Sequence, residues 1–267
     1  MVTTFAGSGV AGYADGSGNV AQFYHPGGLA VDSSGTVYVA DSANQRIRKI
    51  TSAGIVTTLA GSGVAGNADG TGSAAQFYYP NGVAVDSSGT VYVADYTNNR
   101  IRKITAAGVV TTLAGSGVAG YADGIGSAAQ FTNPAGMAID SSGTLYVADT
   151  NNHRIRKITA AGVVTTLAGS GVAGNADGIG TAAQFNGPFA VIVDSSGTLY
   201  VADTNNQRIR KVTSAGAVTT LAGSGIASFA DGTGSAAMFN YPMGIAVDAS
   251  GTLYVGDSST NRIRKIQ

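Results

Sequence analysis

Short apolar runs, separated by clusters of Gly, Ser, Asn and Asp, form the hydrophobic pattern of this chain. The first set reads LAV from Leu29, TVYVA from Thr36, RIRKI from Arg46 and VTTLA from Val56. These runs are rich in β-branched residues and Tyr, which predicts β-strands. No segment keeps a 3.6-residue period, which excludes a helical solenoid. The connections DSSG, SANQ and TSAG are short and polar, as tight hairpins require.

The same pattern returns with a period of 54 residues. The RIRK segment begins at Arg46, Arg100, Arg154, Arg208 and Arg262. The AGSGVAG segment begins at Ala6, Ala60, Ala114 and Ala168, with a degenerate AGSGIAS at Ala222. Five nearly identical copies indicate a chain built by duplication, through recent amplification or by consensus design.

Four antiparallel strands in each unit, repeated around an axis, predict an all-β, five-bladed β-propeller. We expect one domain over residues 1–267. The segment Val2–Phe5 corresponds to the fourth strand from Val56, and we expect it to pair beside Arg262–Ile266, which completes the last blade and closes the ring. A closed ring without a free edge favours a monomer. In the long loop, SAAQF from Ser73 predicts one helical turn behind a Ser N-cap, with Phe77 buried beneath it.

The repeated unit resembles the NHL-repeat β-propeller family. Its loose consensus is AGxxxxxADGxGxxAxFxxPxGxAVDxSGxxYVADxxNxRIRKI, and the third copy contains the name-giving variant NHRI. The fourth copy departs from it with GPFAVIVD and the fifth with VGDSSTNRI. The resemblance covers essentially the whole chain and implies the propeller fold. It does not select a function, because the family includes protein-binding modules, RNA-binding modules and relatives of amidating lyases and lactonases.

Charge and composition narrow the classes of partner. Fifteen Lys and Arg residues balance 15 Asp residues, so the net charge is zero, and charged residues make up 11% of the chain. Such a chain has no field of one sign to attract nucleic acid or an anionic membrane, and we expect neither as a partner. Cys is absent, which excludes disulfides and thiolate sites. The start MVTTFAG does not have a signal-peptide pattern, although a secreted parent remains an open alternative.

Candidate catalytic groups are few, and we predict no catalytic residue, metal or cofactor. The two His residues, His25 and His153, lie at non-equivalent positions of the first and third units, and the chain has no Glu. A catalytic zinc usually needs three protein ligands. Asp69 in ADGxG stands among Gly and Ala, which favours an Asp-Gly turn over a calcium site with several oxygen ligands.

The Asp after YVA and the first Arg of RIRK end one strand and begin the next. They should therefore meet across the hairpin as a structural ion pair, with the RIRK side chains reaching the rim of the blade. Recurrence in every unit favours scaffold over site. The predicted pairs are Asp41–Arg46, Asp95–Arg100, Asp149–Arg154, Asp203–Arg208 and Asp257–Arg262.

Differences between the copies gather on the side of the long Gly-rich loops, mainly at the two residues before Pro. We therefore predict a symmetric repeat scaffold or interaction module without catalytic activity, which would bind any ligand on this side. The alternative is an extracellular propeller that binds a protein or a glycan there through aromatic and amide side chains. A lyase- or lactonase-like enzyme and an RNA-binding propeller are both disfavoured. The candidate ligand-binding residues are Tyr24, His25, Tyr78, Tyr79, Tyr121, His153 and Tyr241.

Overall fold

The computed structural model describes residues 3–267, whose β-strands form five antiparallel sheets, one for each repeat. The first sheet contains β1 (Gly16–Ser17), β2 (Pro26–Val31), β3 (Val37–Asp41), β4 (Arg46–Ile50) and β5 (Ile55–Ala60). The second contains β6 (Gly70–Thr71), β7 (Pro80–Val85), β8 (Val91–Asp95), β9 (Arg100–Ile104) and β10 (Val109–Ala114). The third contains β11 (Gly124–Ile125), β12 (Pro134–Ile139), β13 (Leu145–Asp149), β14 (Arg154–Ile158) and β15 (Val163–Ala168).

The last two sheets follow the same plan. The fourth contains β16 (Gly178–Ile179), β17 (Pro188–Val193), β18 (Leu199–Asp203), β19 (Arg208–Val212) and β20 (Ala217–Ala222). The fifth contains β21 (Pro242–Val247), β22 (Leu253–Asp257) and β23 (Arg262–Ile266). The first sheet has the strand order β1-β5-β4-β3-β2, which sheets two to four repeat, and the fifth has the order β21-β22-β23.

The helices of the described residues are single 3-10 turns. None of the helices found within residues 3–267 has the length and apolar character needed to cross a membrane. The turns span Gly18–Val20, Ser42–Asn44, Gly72–Ala74, Gly126–Ala128, Thr150–Asn152, Gly180–Ala182, Thr204–Asn206, Gly234–Ala236 and Ser258–Thr260.

The hairpin between β2 and β3 illustrates why these sequences form blades. Asp32 Oδ1 accepts hydrogen bonds from the backbone N–H groups of Ser34 (2.9 Å) and Thr36 (3.0 Å). Gly35 has φ 80, a conformation that is easily reached only without a Cβ. Asp32 Oδ2 also accepts a hydrogen bond from the Tyr38 hydroxyl. The Asp residue therefore holds the turn and the following strand together.

The chain forms two compact units. One runs to Ala119 and includes Gly126–Pro134, and the other comprises Gly120–Ile125 and Ala135–Gln267. In the first unit a core that includes Ala40, Ile47, Phe77, Val83 and Val93 joins the first two sheets. In the second unit, one core includes Ala148, Ile155, Phe185 and Val201, and another includes Ala202, Ile209, Phe239 and Val255.

The expected fold class, an all-β protein of five propeller blades, is confirmed. Phe77 is completely buried, and the 3-10 turn Gly72–Ala74 precedes it in the loop. Its predicted Ser cap is wrong, because Thr71 is the N-cap residue and its side chain makes no capping hydrogen bond. Residues 3–5 have no strand assignment and Val2 lies outside the described residues, so closure by Val2–Phe5 stays a prediction. The single domain over residues 1–267 also stays a prediction.

Candidate functional site

A buried arginine organises each blade, and in the first four blades its side chain is completely buried. In the first blade, Arg48 Nη1 donates to Asp41 Oδ2 (2.7 Å) and Nη2 donates to Asp15 Oδ1 (2.6 Å). The same guanidinium donates to the backbone carbonyls of Gln22 and Ala14. Its planar fork therefore reaches two carboxylates and two carbonyls, which compensates the cost of burying the charge. The equivalent arginines are Arg102, Arg156, Arg210 and Arg264.

This arrangement corrects the predicted ion pairs. Asp41 and Arg46 do face each other in the strand register, but the carboxylate of Asp41 binds Arg48 instead. Arg48 donates to the Gln22 and Ala14 carbonyls of the long loop that precedes β2, whereas Arg46 donates to the Ser62 carbonyl of the loop that follows β5. Asp95, Asp149, Asp203 and Asp257 likewise bind the second arginine. Arg100, Arg154, Arg208 and Arg262 donate to backbone carbonyls.

The Asp residue of the ADG segment does more than stabilise a turn. Asp15 Oδ2 accepts a hydrogen bond from the Thr58 N–H group and Oδ1 accepts one from the Thr58 hydroxyl, both at 3.1 Å. Asp15 thus fastens the long loop to Arg48 and to β5. The sequence contains a signal for the contact of Asp41 and Asp15 with Arg48, because each repeat contains the same number of Asp and basic residues.

The buried carboxylates bind groups of the protein itself. Burial raises the pKa of Asp95, against hydrogen bonds from Asn98 and the Tyr78 N–H and the nearby charge of Arg102. Within residues 3–267, no group of three or more His, Cys, Asp or Glu side chains is placed to hold a metal ion. The repeated charges of each blade act as structural contacts.

His153 lies at a contact between neighbouring sheets. Its Nδ1 accepts a hydrogen bond from the Gly187 N–H group at 3.1 Å, and its side chain is only partly exposed. Burial lowers the pKa of His153. This contact supports a structural role for His153. Amide oxygens make the same bond elsewhere: Gln45 to Tyr79 N (2.6 Å), Asn99 to Asn133 N (2.9 Å) and Gln207 to Tyr241 N (2.6 Å).

The residue before Pro adopts a left-handed backbone in every repeat. In three repeats it is a large aromatic residue: His25 (φ 51), Tyr79 (φ 53) and Tyr241 (φ 56). In the other two it is Asn133 (φ 52) or Gly187 (φ 58), which adopt this conformation at little cost. The aromatic side chains are exposed, by 45% at Tyr79 and 48% at Tyr241.

Four of the predicted ligand-binding residues belong to one region of the first unit. Tyr24, His25, Tyr78 and Tyr79 are all exposed, and we call them the aromatic surface. The Tyr24 and His25 rings lie 4.9 Å apart between centroids. The turn after β3 connects the two pairs, because Tyr24 O accepts from the N–H group of Ala43 and Gln45 Oε1 accepts from Tyr79 N.

Tyr121 has a different environment. The Arg154 guanidinium carbon lies 3.5 Å from the centre of its ring, and its hydroxyl accepts a hydrogen bond from Thr166. Tyr13 covers Arg46 and Phe229 covers Arg262 in the same way. One ring face is thus occupied by a cation, which supports a packing role for Tyr121. Tyr241 is exposed and belongs to the second unit.

Repeated antiparallel blades with buried charges and variable loop aromatics define a β-propeller whose differences between copies lie at the surface. The family comparison agrees with this class: the chain belongs to the NHL-repeat family. The family model for the NHL repeat matches residues 23–50, 77–104, 131–158, 185–212 and 239–266.

The chain is also similar to parts of longer proteins. It is 29% identical to the SUPPRESSOR OF QUENCHING 1 protein, chloroplastic, of Arabidopsis thaliana, over 99% of this chain and 27% of that protein. It is 30% identical to NHL repeat-containing protein 2 of Bos taurus, over 95% of this chain and 40% of that protein. This chain therefore spans well under half the length of these relatives.

Solved structures share the fold. An auxiliary nutrient binding protein from Bacteroides ovatus superimposes with a TM-score of 0.70 and 20% identity, over 95% of this chain and 63% of that one. A streptogramin B lyase superimposes with a TM-score of 0.59 and 16% identity, over 91% of this chain and 68% of that one. A binding protein and an enzyme thus have the same architecture, so the fold alone does not define the function.

Proposed function

We propose that this chain is a non-catalytic interaction module that binds a partner protein on the aromatic surface. The observation that carries the proposal is Tyr79, which has φ 53 while 45% of the residue is exposed. A left-handed backbone costs a large residue about 1–2 kcal/mol, and partial burial offsets only part of that cost. Asn133 and Gly187 occupy the equivalent position of their repeats and adopt the left-handed backbone without that cost. A partner that covers Tyr79 would supply the missing stabilisation.

The chemistry of the surface favours a protein partner. Tyr is one of the residues that most often carry binding energy in protein interfaces, because its ring is large and rigid and its hydroxyl can form hydrogen bonds. The charges behind the surface, Asp41 and Arg48, are completely buried in an ion pair. Recognition would therefore depend on aromatic faces and hydroxyl groups. The NHL segments of the relatives occupy part of much longer chains, which also supports an accessory binding role.

Catalysis is not part of this proposal. The sequence contains no Glu or Cys, and Nδ1 of His153 already accepts a hydrogen bond within the fold. A Ser nucleophile needs a base within hydrogen-bond reach. At 16% identity, the similarity to the streptogramin B lyase is limited to the fold.

The test compares binding by wild-type protein and by Tyr79→Asn, which takes the residue of the third repeat. Immobilised protein would be exposed to an extract of the source organism, and retained proteins would be identified and measured with purified material. We expect Tyr79→Asn to weaken binding by about tenfold or more, as loss of an interface anchor does. Ser88→Ala, on the Asp86–Gly89 hairpin turn, is the control that should bind normally.

Three results would contradict the proposal. Equal retention by wild type and Tyr79→Asn would show that the partner binds elsewhere. A parallel glycan array separates the alternatives. Glycan binding without protein binding would indicate a lectin-like module. No binding in either assay would indicate a symmetric scaffold.

A further inference from the structure

One recurring hydrogen bond crosses the seam between neighbouring sheets, beside hydroxyl bonds such as that from Thr150 to the Pro188 carbonyl. A side chain at the end of the turn after the second long strand of one blade accepts a hydrogen bond from the N–H group of the residue before Pro in the next blade. In the first unit the acceptors are the amide oxygens of Gln45 and Asn99. In the second unit, Gln207 uses an amide oxygen but His153 uses the ring nitrogen Nδ1. The bond of His153 is therefore the one in this set whose acceptor can take up a proton.

Protonation removes that acceptor. An amide oxygen keeps its lone pairs at every physiological pH, whereas Nδ1 of imidazole accepts a hydrogen bond only while it carries no proton. Gly187 is buried, and its N–H group points at Nδ1 from 3.1 Å. A proton on Nδ1 would place two N–H groups against each other. The contact would then have to open or His153 would have to move.

The charged groups around His153 come from three strands. Arg154 follows it on β14, Asp149 ends β13 and Asp203 ends β18, in the neighbouring sheet. Arg154 opposes protonation and the two carboxylates favour it, but each carboxylate is already bonded to a buried arginine, Arg156 or Arg210. Burial, the largest influence, lowers the pKa of His153. The neutral ring required by the geometry is thus also the form that the surroundings favour at neutral pH.

We propose that the contact between His153 and Gly187 is an acid-sensitive latch between the third and fourth sheets, closed while Nδ1 is free of protons and opened when Nδ1 is protonated. The unfolded chain takes up the proton at a higher pH than the folded chain does. The latch therefore contributes its full stability above the ordinary pKa of His, and it loses that contribution as the pH falls through the lowered folded value. This device is independent of any ligand.

Amide hydrogen exchange on the wild-type protein tests the latch directly. The protection of the Gly187 amide, corrected for the intrinsic effect of pH, should fall by about fivefold when His153 is protonated. This factor corresponds to the net free energy that one ordinary hydrogen bond contributes to stability. The amides of Tyr79 and Tyr241, bonded to Gln45 and Gln207, are internal controls and should keep their protection. Constant protection at Gly187 across the titration of the His153 ring, followed by NMR, would overturn the proposal.

Variants provide the second readout. His153→Gln copies the acceptor of the first and fourth repeats, and it should remove the loss of Gly187 protection in acid. His153→Asn copies the second repeat and serves the same purpose if the Gln variant does not fold. His25→Gln changes the other histidine, which is exposed, and should leave the acid response of Gly187 intact. The same acid response in wild type and in the folded His153 variant would exclude His153 as the latch.

Discussion

Arg102 Nη1 donates a 2.8 Å hydrogen bond to Asp95 Oδ2, and solvent reaches neither side chain. The other side of the guanidinium binds Asp69, whose side chain is half exposed. One arginine therefore connects the blade interior to the long loop that crosses it. Each blade repeats this connection, so these clustered charges hold the blade together.

Removal of the arginine should be severely destabilising. We expect Arg102→Met to lower the free energy of unfolding by about 3–5 kcal/mol, because Asp95 would be left buried without its cation. Denaturant titration would measure the change. Lys103→Met, at the next position of the same strand, is the control and should change it by about 0.5 kcal/mol or less. A loss below about 1 kcal/mol for Arg102→Met would contradict the structural role of the ion pair.

The hydrogen bond from Tyr79 N to Gln45 should position the aromatic surface. Gln45 itself has φ 54, so Gln45→Gly removes the acceptor without straining the backbone. We expect it to cost about 1 kcal/mol of stability and to increase hydrogen exchange at the Tyr79 amide. Gln45→Asn provides the acceptor used in the second repeat and should preserve protection. Unchanged exchange in Gln45→Gly would mean that the bond does not restrain Tyr79.

Tyr79 should contribute little to folding despite its size. We expect Tyr79→Asn to change the free energy of unfolding by less than about 1 kcal/mol, because relief of the left-handed backbone offsets the lost partial burial. Phe77→Ala, two residues earlier, is the contrasting variant and should cost about 3–5 kcal/mol, since that ring is completely buried. A large loss in Tyr79→Asn would indicate a core residue and would weaken the case for a binding surface.

The sequence predicted the blades better than it predicted their contacts. Strand type and turn chemistry are local, so LAV, VYVA and RIRKI indicated β2, β3 and β4 to within a few residues. The partner of Asp41 depends on how the long loop folds back over the sheet, and that path has no local signal. The same reason explains why the sequence alone favours a turn for Asp69 and a ligand-binding role for His153.

The last prediction concerns the tyrosines behind the DSSG turns. Burial, together with the hydrogen bond to Asp86, raises the pKa of Tyr92 to about 12, and Tyr146 beside Asp140 behaves alike. Unfolded tyrosine loses its proton near pH 10. Above that pH the folded chain retains protons that the unfolded chain releases, so stability should be complete below pH 10 and fall as the pH approaches 12.

Denaturant midpoints measured from neutral pH to about pH 11.5 would detect this loss, since the interval lies between the unfolded and folded values. We expect the double variant Tyr92→Phe with Tyr146→Phe to lose less stability over the alkaline interval than the wild type does. At neutral pH it should already be weaker by about 1–3 kcal/mol, because each carboxylate loses a hydrogen-bond donor. Tyr24→Phe, at an exposed tyrosine, is the matched control and should follow the wild type. If the double variant loses as much stability between neutral pH and about pH 11.5 as the wild type does, groups other than Tyr92 and Tyr146 cause the loss.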